Sequence, residues 1–123
     1  SLVTFGKITK LALQAAEDLE KEGISVEVID LRTVRPLDYE TVINSVKKTN
    51  RMVILEEAWP LGSIATELTY MVQQKAFDYL DAPVKRITTP DTPAPFSAPL
   101  FAEWFPKVEK VKEEIKKVLY IQA

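Results

Sequence analysis

Short β-rich runs alternate four times with helix-length amphipathic segments along this chain, and that alternation restricts the fold more than any other feature. Leu2–Phe5 reads as a strand. From Lys7 to Glu22, apolar residues recur at Ile8, Leu11, Ala12, Ala15 and Leu19, which share one helical face. Gly23 then supplies a left-handed stop. Ile24–Asp30 reads as a second strand with Ile24, Val26 and Val28 on one face and Ser25 and Glu27 on the other, the pattern of a strand near a sheet edge. The connector Leu31–Leu37 leads to Asp38, an N-cap for a helix that turns Tyr39, Val42, Ile43 and Val46 inward. Met52–Leu55 contains no polar residue and suits a central strand covered on both faces. Ser63 is placed to cap a third helix with the inner stripe Ile64, Leu68, Met71, Val72, Ala76 and Leu80. Val84–Thr88 alternates like the other edge, and a last helix near Lys107–Tyr120 buries Val108, Val111, Ile115 and Val118.

Four βα units in succession predict a three-layer α/β/α architecture with a mostly parallel sheet and right-handed crossovers. With the alternating strands outside and the apolar ones inside, the strand order is 2-1-3-4. The chain reverses direction between strands 1 and 3, and open α/β sheets bind ligands at such a point, here near Gly6–Lys7 and Glu56–Ser63.

Composition removes several classes of chemistry. The 123 residues contain no histidine and no cysteine, so an imidazole base, a thiolate nucleophile and a disulfide are all impossible within the chain. The net charge is −2 with both signs interspersed, which offers nucleic acid no clustered basic surface. No apolar run approaches membrane-spanning length, so no membrane partner is expected. Gly6, Gly23 and Gly62 are isolated, which excludes a Walker loop and a dinucleotide fingerprint. Gly6 and Gly62 precede helix starts and are read as makers of βα turns rather than anion sites.

A few residues stand at the predicted crevice. Glu56 and Glu57 end the central strand, but adjacent residues point to opposite sides and make a poor acid–base pair. A structural ion pair or turn-stabilising hydrogen bond is the favoured role for them. Arg32 and Arg35 follow the second strand; guanidinium forks suit phosphate or carboxylate, and the favoured role is to fasten this connector to neighbouring backbone. Asp81, in Tyr79-Leu80-Asp81-Ala82-Pro83, either caps local backbone or offers an exposed carboxylate to a basic partner. The segment Thr89–Pro106 breaks the rhythm: Pro90, Pro93, Pro95 and Pro99 are interleaved with Phe96, Leu100, Phe101, Trp104 and Phe105. A flexible linker would be polar. This one is either a strap across its own domain or a contact surface for a neighbouring chain, and different residues can serve each role.

The motifs, taken in order, resemble the C-terminal domain of the transketolase family. They are Ala15-Ala16 with Leu19, then Val28-Ile29-Asp30-Leu31-Arg32-Thr33 running into Arg35-Pro36-Leu37-Asp38. Lys48-Thr49-Asn50-Arg51 leads into Val53-Ile54-Leu55-Glu56-Glu57, followed by Trp59-Pro60 and Gly62. Phe77-Asp78-Tyr79-Leu80-Asp81-Ala82-Pro83 and Asp91-Thr92-Pro93-Ala94-Pro95-Phe96 narrow the resemblance to beta subunits of 2-oxo acid dehydrogenases, and most to those of pyruvate dehydrogenase. It covers essentially the whole chain, read as one domain over residues 1–123.

The resemblance implies a parent enzyme that uses thiamine diphosphate and Mg to decarboxylate pyruvate and to acetylate the lipoyl group of an acetyltransferase. The cofactor of such enzymes lies between an alpha subunit and the N-terminal domain of the beta subunit. No catalytic, cofactor-binding or metal-binding residue is therefore expected in this chain, which alone is expected to be inactive. What it implies instead is assembly with the alpha subunit and a second beta subunit, and docking to the subunit-binding domain of the dihydrolipoyl acetyltransferase. Asp81 and the tail Tyr120–Ala123, ending at Ala123, match the docking positions; Trp59, Phe96 and Trp104 join Arg32, Arg35, Glu56 and Glu57 as crevice or interface residues. Phe96 stands where tyrosine is common in the family. Family domains carry one more strand, antiparallel at the sheet edge, upstream of the first strand here, so a fragment of a longer subunit is expected. Its compartment would be the bacterial cytoplasm or the mitochondrial matrix. A branched-chain 2-oxo acid or acetoin dehydrogenase is the alternative within the family, and a stand-alone flavodoxin-like ligand-binding domain the alternative outside it.

Overall fold

The computed structural model describes residues 1–121. Four strands, β1 (Leu2–Thr4), β2 (Val28–Asp30), β3 (Val53–Leu55) and β4 (Lys85–Ile87), form a sheet in the order β2-β1-β3-β4. All three pairings are parallel, with Val3 beside Ile29 and Ile54, and Ile54 beside Arg86. Helices α1 (Thr9–Lys21) and α5 (Val108–Val118) cover one face; α2 (Tyr39–Thr49) and α3 (Ile64–Ala76) cover the other. The expected three layers and strand order are what forms.

Alternation along the strands divides the core in two. Leu2, Val53, Leu55 and Ile87 pack with Ala12, Ala15 and Leu19 of α1 and with Val111, Ile115 and Val118 of α5. Val3, Ile29 and Ile54 pack with Val42, Ile43 and Val46 of α2 and with Leu68 and Val72 of α3. Ile54 and Leu55 are completely buried on opposite faces, as the apolar run predicts, and burial of each side chain stabilises by about 1.5–3 kcal/mol.

Helix ends follow local chemistry at two places and depart from it at a third. Beyond α1, the Gly23 N–H donates to the Glu20 carbonyl and the Ile24 N–H to the Leu19 carbonyl, both at 2.9 Å. Gly23 sits at φ +83°, the left-handed geometry this double closure requires. Asp38 accepts from the Thr41 N–H at 3.0 Å and caps α2 as expected. Ser63, however, makes no capping bond to α3; the Glu56 carboxylate reaches the helix start instead.

Three further expectations need correction. Only Val28–Asp30 of the second strand is ladder-paired; Ile24 and Val26 pack on the α1/α5 layer without joining it. The third helix ends at Ala76, and Phe77–Tyr79 forms a separate 3₁₀ turn, so Leu80 meets the core from outside the helix. Within the proline-rich segment, Ala98–Trp104 forms a helix, α4, with Pro99 in its first turn, where a missing N–H costs nothing. Phe101, Trp104 and Phe105 meet at helical spacing, with ring centroids 5.5 Å apart in both pairs.

Candidate functional site

The two ends of the sheet present different surfaces. At the carboxyl ends of the strands, Glu56 and Glu57 leave β3 in opposite directions. Glu56 is completely buried, and its Oε2 accepts from the Ala65 N–H at 3.3 Å at the first turn of α3. Burial pushes its pKa up, against the pull of the Ser63 hydroxyl, the Ala65 amide and the Arg86 guanidinium. The favoured turn-stabilising role thus falls to Glu56 alone, while Glu57 is exposed. They do not form an acid–base pair.

Past Glu57 the chain folds back beneath the proline-rich segment. Thr89 is buried, and its hydroxyl donates to the Ala58 carbonyl at 2.9 Å. The indole N–H groups of Trp59 and Trp104 both donate to the Thr92 carbonyl, at 2.9 and 3.3 Å. One backbone oxygen therefore fixes two aromatic residues that lie far apart in sequence. Lys7, in the turn after β1, places its ammonium 5.6 Å from the Phe101 ring and 5.4 Å from the Phe105 ring, pinning α4 to the sheet end. Phe96 projects fully into solvent and Leu100 is more than half exposed. The segment divides by residue: Phe105 packs on the core, as a strap across its own domain would, whereas Phe96 and Leu100 stay exposed.

The arginines separate. Arg32 sits at φ +62° and pairs with the Asp30 carboxylate at 3.2 Å, mostly in solvent. Arg35 precedes the cis-linked Pro36 and is exposed. Neither side chain fastens the connector to neighbouring backbone as expected; the Leu31 N–H, donating to the Thr4 carbonyl at 2.9 Å, does so, and the Thr33 hydroxyl closes the connector on itself by donating to the Pro36 carbonyl at 2.8 Å.

The opposite end of the sheet carries the Asp81 turn. Its backbone is held from two directions: the Asp81 N–H donates to the Asn50 carbonyl at 2.8 Å, and the Tyr120 hydroxyl donates to the Asp81 carbonyl at 3.4 Å. Asn50, left-handed at φ +65° at the end of α2, also donates from its side-chain amide to the Tyr79 carbonyl at 2.9 Å. The Asp81 residue is exposed, and Phe77, Tyr79, Tyr120 and Ile121 expose apolar surface on the same turns. Lys47 lies 5.4 Å from the Tyr79 ring. Ala123 lies outside the described residues.

Sequence reasoning missed two polar residues. Arg86 on β4 donates to the Pro60 carbonyl at 2.5 Å and to the Thr66 hydroxyl at 3.1 Å, tying the edge strand to the crevice loop. Glu114 is buried within α5, with Lys110 at 2.7 Å, Lys117 at 3.2 Å and Lys85 at 3.5 Å. An apolar stripe gives no hint of either, although Lys110 and Lys117 stand four before and three after Glu114. Among the described residues, no three His, Cys, Asp or Glu side chains are grouped to hold a metal ion. No helix among the described residues is long and apolar enough to cross a membrane. What this arrangement offers is two surfaces at opposite ends of a parallel sheet, one built on the two tryptophans and one on the clamped turn that carries Asp81.

A doubly covered parallel sheet of this order, with Glu56, Arg86 and Thr89 holding its loops, is of the transketolase C-terminal type of α/β domain. The model of the transketolase C-terminal domain matches residues 1–111, and the chain belongs to that family. It is 49% identical over 120 residues to the pyruvate dehydrogenase E1 component subunit beta of Rhizobium meliloti (strain 1021), covering 98% of this chain and 26% of that one. It is 49% identical over 100 residues to the mitochondrial subunit beta of Dictyostelium discoideum, covering 81% and 28%. To the Rickettsia felis subunit beta it is 47% identical over 120 residues, covering 98% and 37%. Among solved structures, a split gene transketolase described as an inactive beta4 tetramer superposes with a TM-score of 0.82 at 25% identity, covering 99% of this chain and 38% of that one. The chain thus spans between about a quarter and two fifths of the length of these relatives.

Proposed function

We propose that the chain is a non-catalytic assembly and docking domain, part of a longer beta subunit of a thiamine diphosphate-dependent pyruvate dehydrogenase. In this reading it supports oxidative decarboxylation of pyruvate to acetyl-CoA by the complex, with the alpha subunit and a second beta subunit as assembly partners. Thiamine diphosphate and Mg belong to the parent enzyme. The residues of this chain do not fit them: it has no glycine-rich loop to cradle a diphosphate, and its best-placed acid, Glu56, is buried on an amide of α3. The compartment proposed is the bacterial cytoplasm or the mitochondrial matrix.

The observation that carries the docking reading is the Asp81 turn. Its backbone is clamped by Asn50 and Tyr120, so the exposed carboxylate stands on a fixed base beside the end of α5. A preorganised carboxylate loses little freedom on binding, and facing a basic partner it chiefly sets encounter rate and specificity. The partner proposed is the subunit-binding domain of the dihydrolipoyl acetyltransferase, with Ala123 as a second contact.

Calorimetric titration of this chain with the cognate subunit-binding domain tests the reading. Binding should weaken with added salt, and Asp81→Ala should weaken it roughly tenfold, equivalent to about 1.4 kcal/mol. Binding indifferent to Asp81 would move the interface elsewhere, the tail being the next candidate. No binding at all would leave assembly of the tetramer as the role, or require two beta subunits to complete the surface.

A further inference from the structure

We infer that the cleft between Trp59 and Trp104 is a binding site for an organic cation, an ammonium or guanidinium head group. The cleft, about 310 Å³, is lined by Glu57, Ala58, Trp59, Thr89, Ala94 and Trp104. It opens at the carboxyl-end side of the sheet, beyond β3 and β4, with Glu57, Ala58 and Trp59 following the first and Thr89 the second.

The inventory of donors and acceptors decides the class of ligand. Three side-chain donors line the cleft, and all three are spent internally: both indole N–H groups on the Thr92 carbonyl and the Thr89 hydroxyl on the Ala58 carbonyl. An anion would find no side-chain donor there, and no lysine or arginine lines the walls. Among the lining side chains, what is left to meet a ligand is two aromatic indoles and the one charged residue, exposed Glu57. Indole faces carry negative electrostatic potential and attract cations more strongly than any other aromatic side chain. Asp91 and Glu103, both exposed, adjoin Thr92 and Trp104 in sequence and add negative charge to this region.

The cleft is also preorganised. Because both indoles share one acceptor, neither ring turns without breaking its bond to Thr92. Trp104 is held further by Phe101, 5.5 Å away between centroids, and the nearby cation Lys7 is already engaged by the Phe101 and Phe105 rings. Glu57 and Trp59 follow β3 whereas Asp81 precedes β4, so this site stands or falls independently of the docking turn.

The test is tryptophan fluorescence of this chain titrated with choline, with the neutral tert-butyl isostere of choline, and with N-acetylarginine amide. Saturable quenching by the cations but not by the isostere is expected. Glu57→Gln and Trp104→Leu should each weaken it about two- to fivefold, the contribution of a partly exposed cation contact. Glu57→Gln alters an exposed side chain and keeps the inference testable even where Trp104→Leu disturbs α4. Preference for choline identifies a small ammonium ligand, and preference for the arginine amide identifies a guanidinium supplied by another protein; both support the site. Equal response to the neutral isostere, cation binding unchanged by Glu57→Gln, or no saturable response to either cation overturns it.

Discussion

Two buried carboxylates show how position alone assigns opposite roles to the same residue type. Glu56 is held in its raised-pKa state by burial, whereas at Glu114 burial is outweighed by hydrogen bonds from Lys110 and Lys117, which hold its pKa below the ordinary 4.5. The stability consequences have opposite signs. Well below pH 4.5 Glu56 is neutral in both folded and unfolded chains; as pH rises the unfolded chain ionises first, so the cost of burying Glu56 grows until its folded pKa is passed and persists in full above it. Glu114 contributes stability that is complete above pH 4.5 and is lost as pH falls through its folded pKa. Thermal unfolding from pH 3 to pH 7 should therefore show Glu56→Gln gaining relative to the parent chain with rising pH. Glu114→Gln should lose by about 2 kcal/mol at neutral pH, the value of hydrogen bonds to a charged group, and less in acid. Parallel pH profiles for both variants and the parent would contradict this assignment.

At the scale of elements, the clearest dependence is the stop after α1. A Cβ at Gly23 meets nothing within 4 Å, so a substitution there is opposed only by the left-handed backbone. Gly23→Ala should cost about 1–2 kcal/mol in denaturant unfolding, with an unchanged slope. Helix α4 illustrates the converse. Its residues were legible as apolar and proline-rich, but Pro99 reads as a breaker unless the helix is known to begin just before it. The helix forms because Phe101, Trp104 and Phe105 find Lys7 and the Thr92 carbonyl, partners that arrive from elsewhere in the chain.

The molecule as a whole exposes more surface than its mass requires. Its accessible area is 7515 Å², against roughly 6,700 Å² for a typical folded monomer of 13.9 kDa. The difference is comparable to one side of a standard protein interface, roughly 800 Å². Phe96, Leu100, Trp59 and Leu61 contribute to it, all more than half exposed. Replacing Phe96 and Leu100 together with serine should leave the chain's unfolding free energy within about 0.5 kcal/mol per site, because neither side chain is buried. In the proposed parent subunit the same pair of changes should weaken oligomer assembly measured by sedimentation. A large loss of stability in the isolated chain would instead make these residues part of its own core.

Periodicity and side-chain character by themselves determined the four βα units, the central placement of the apolar strand and the order β2-β1-β3-β4. Burial of an alternating or continuous apolar pattern has few solutions. The αL stop at Gly23 and the cap at Asp38 were equally local. Tertiary structure alone decided that Glu56 rather than Ser63 meets the start of α3, that Glu114 gathers three lysines, and that two distant tryptophans converge on Thr92. Each of these depends on where a polar atom lies relative to chain that is remote in sequence. Such placement is fixed only once the sheet has brought those segments together.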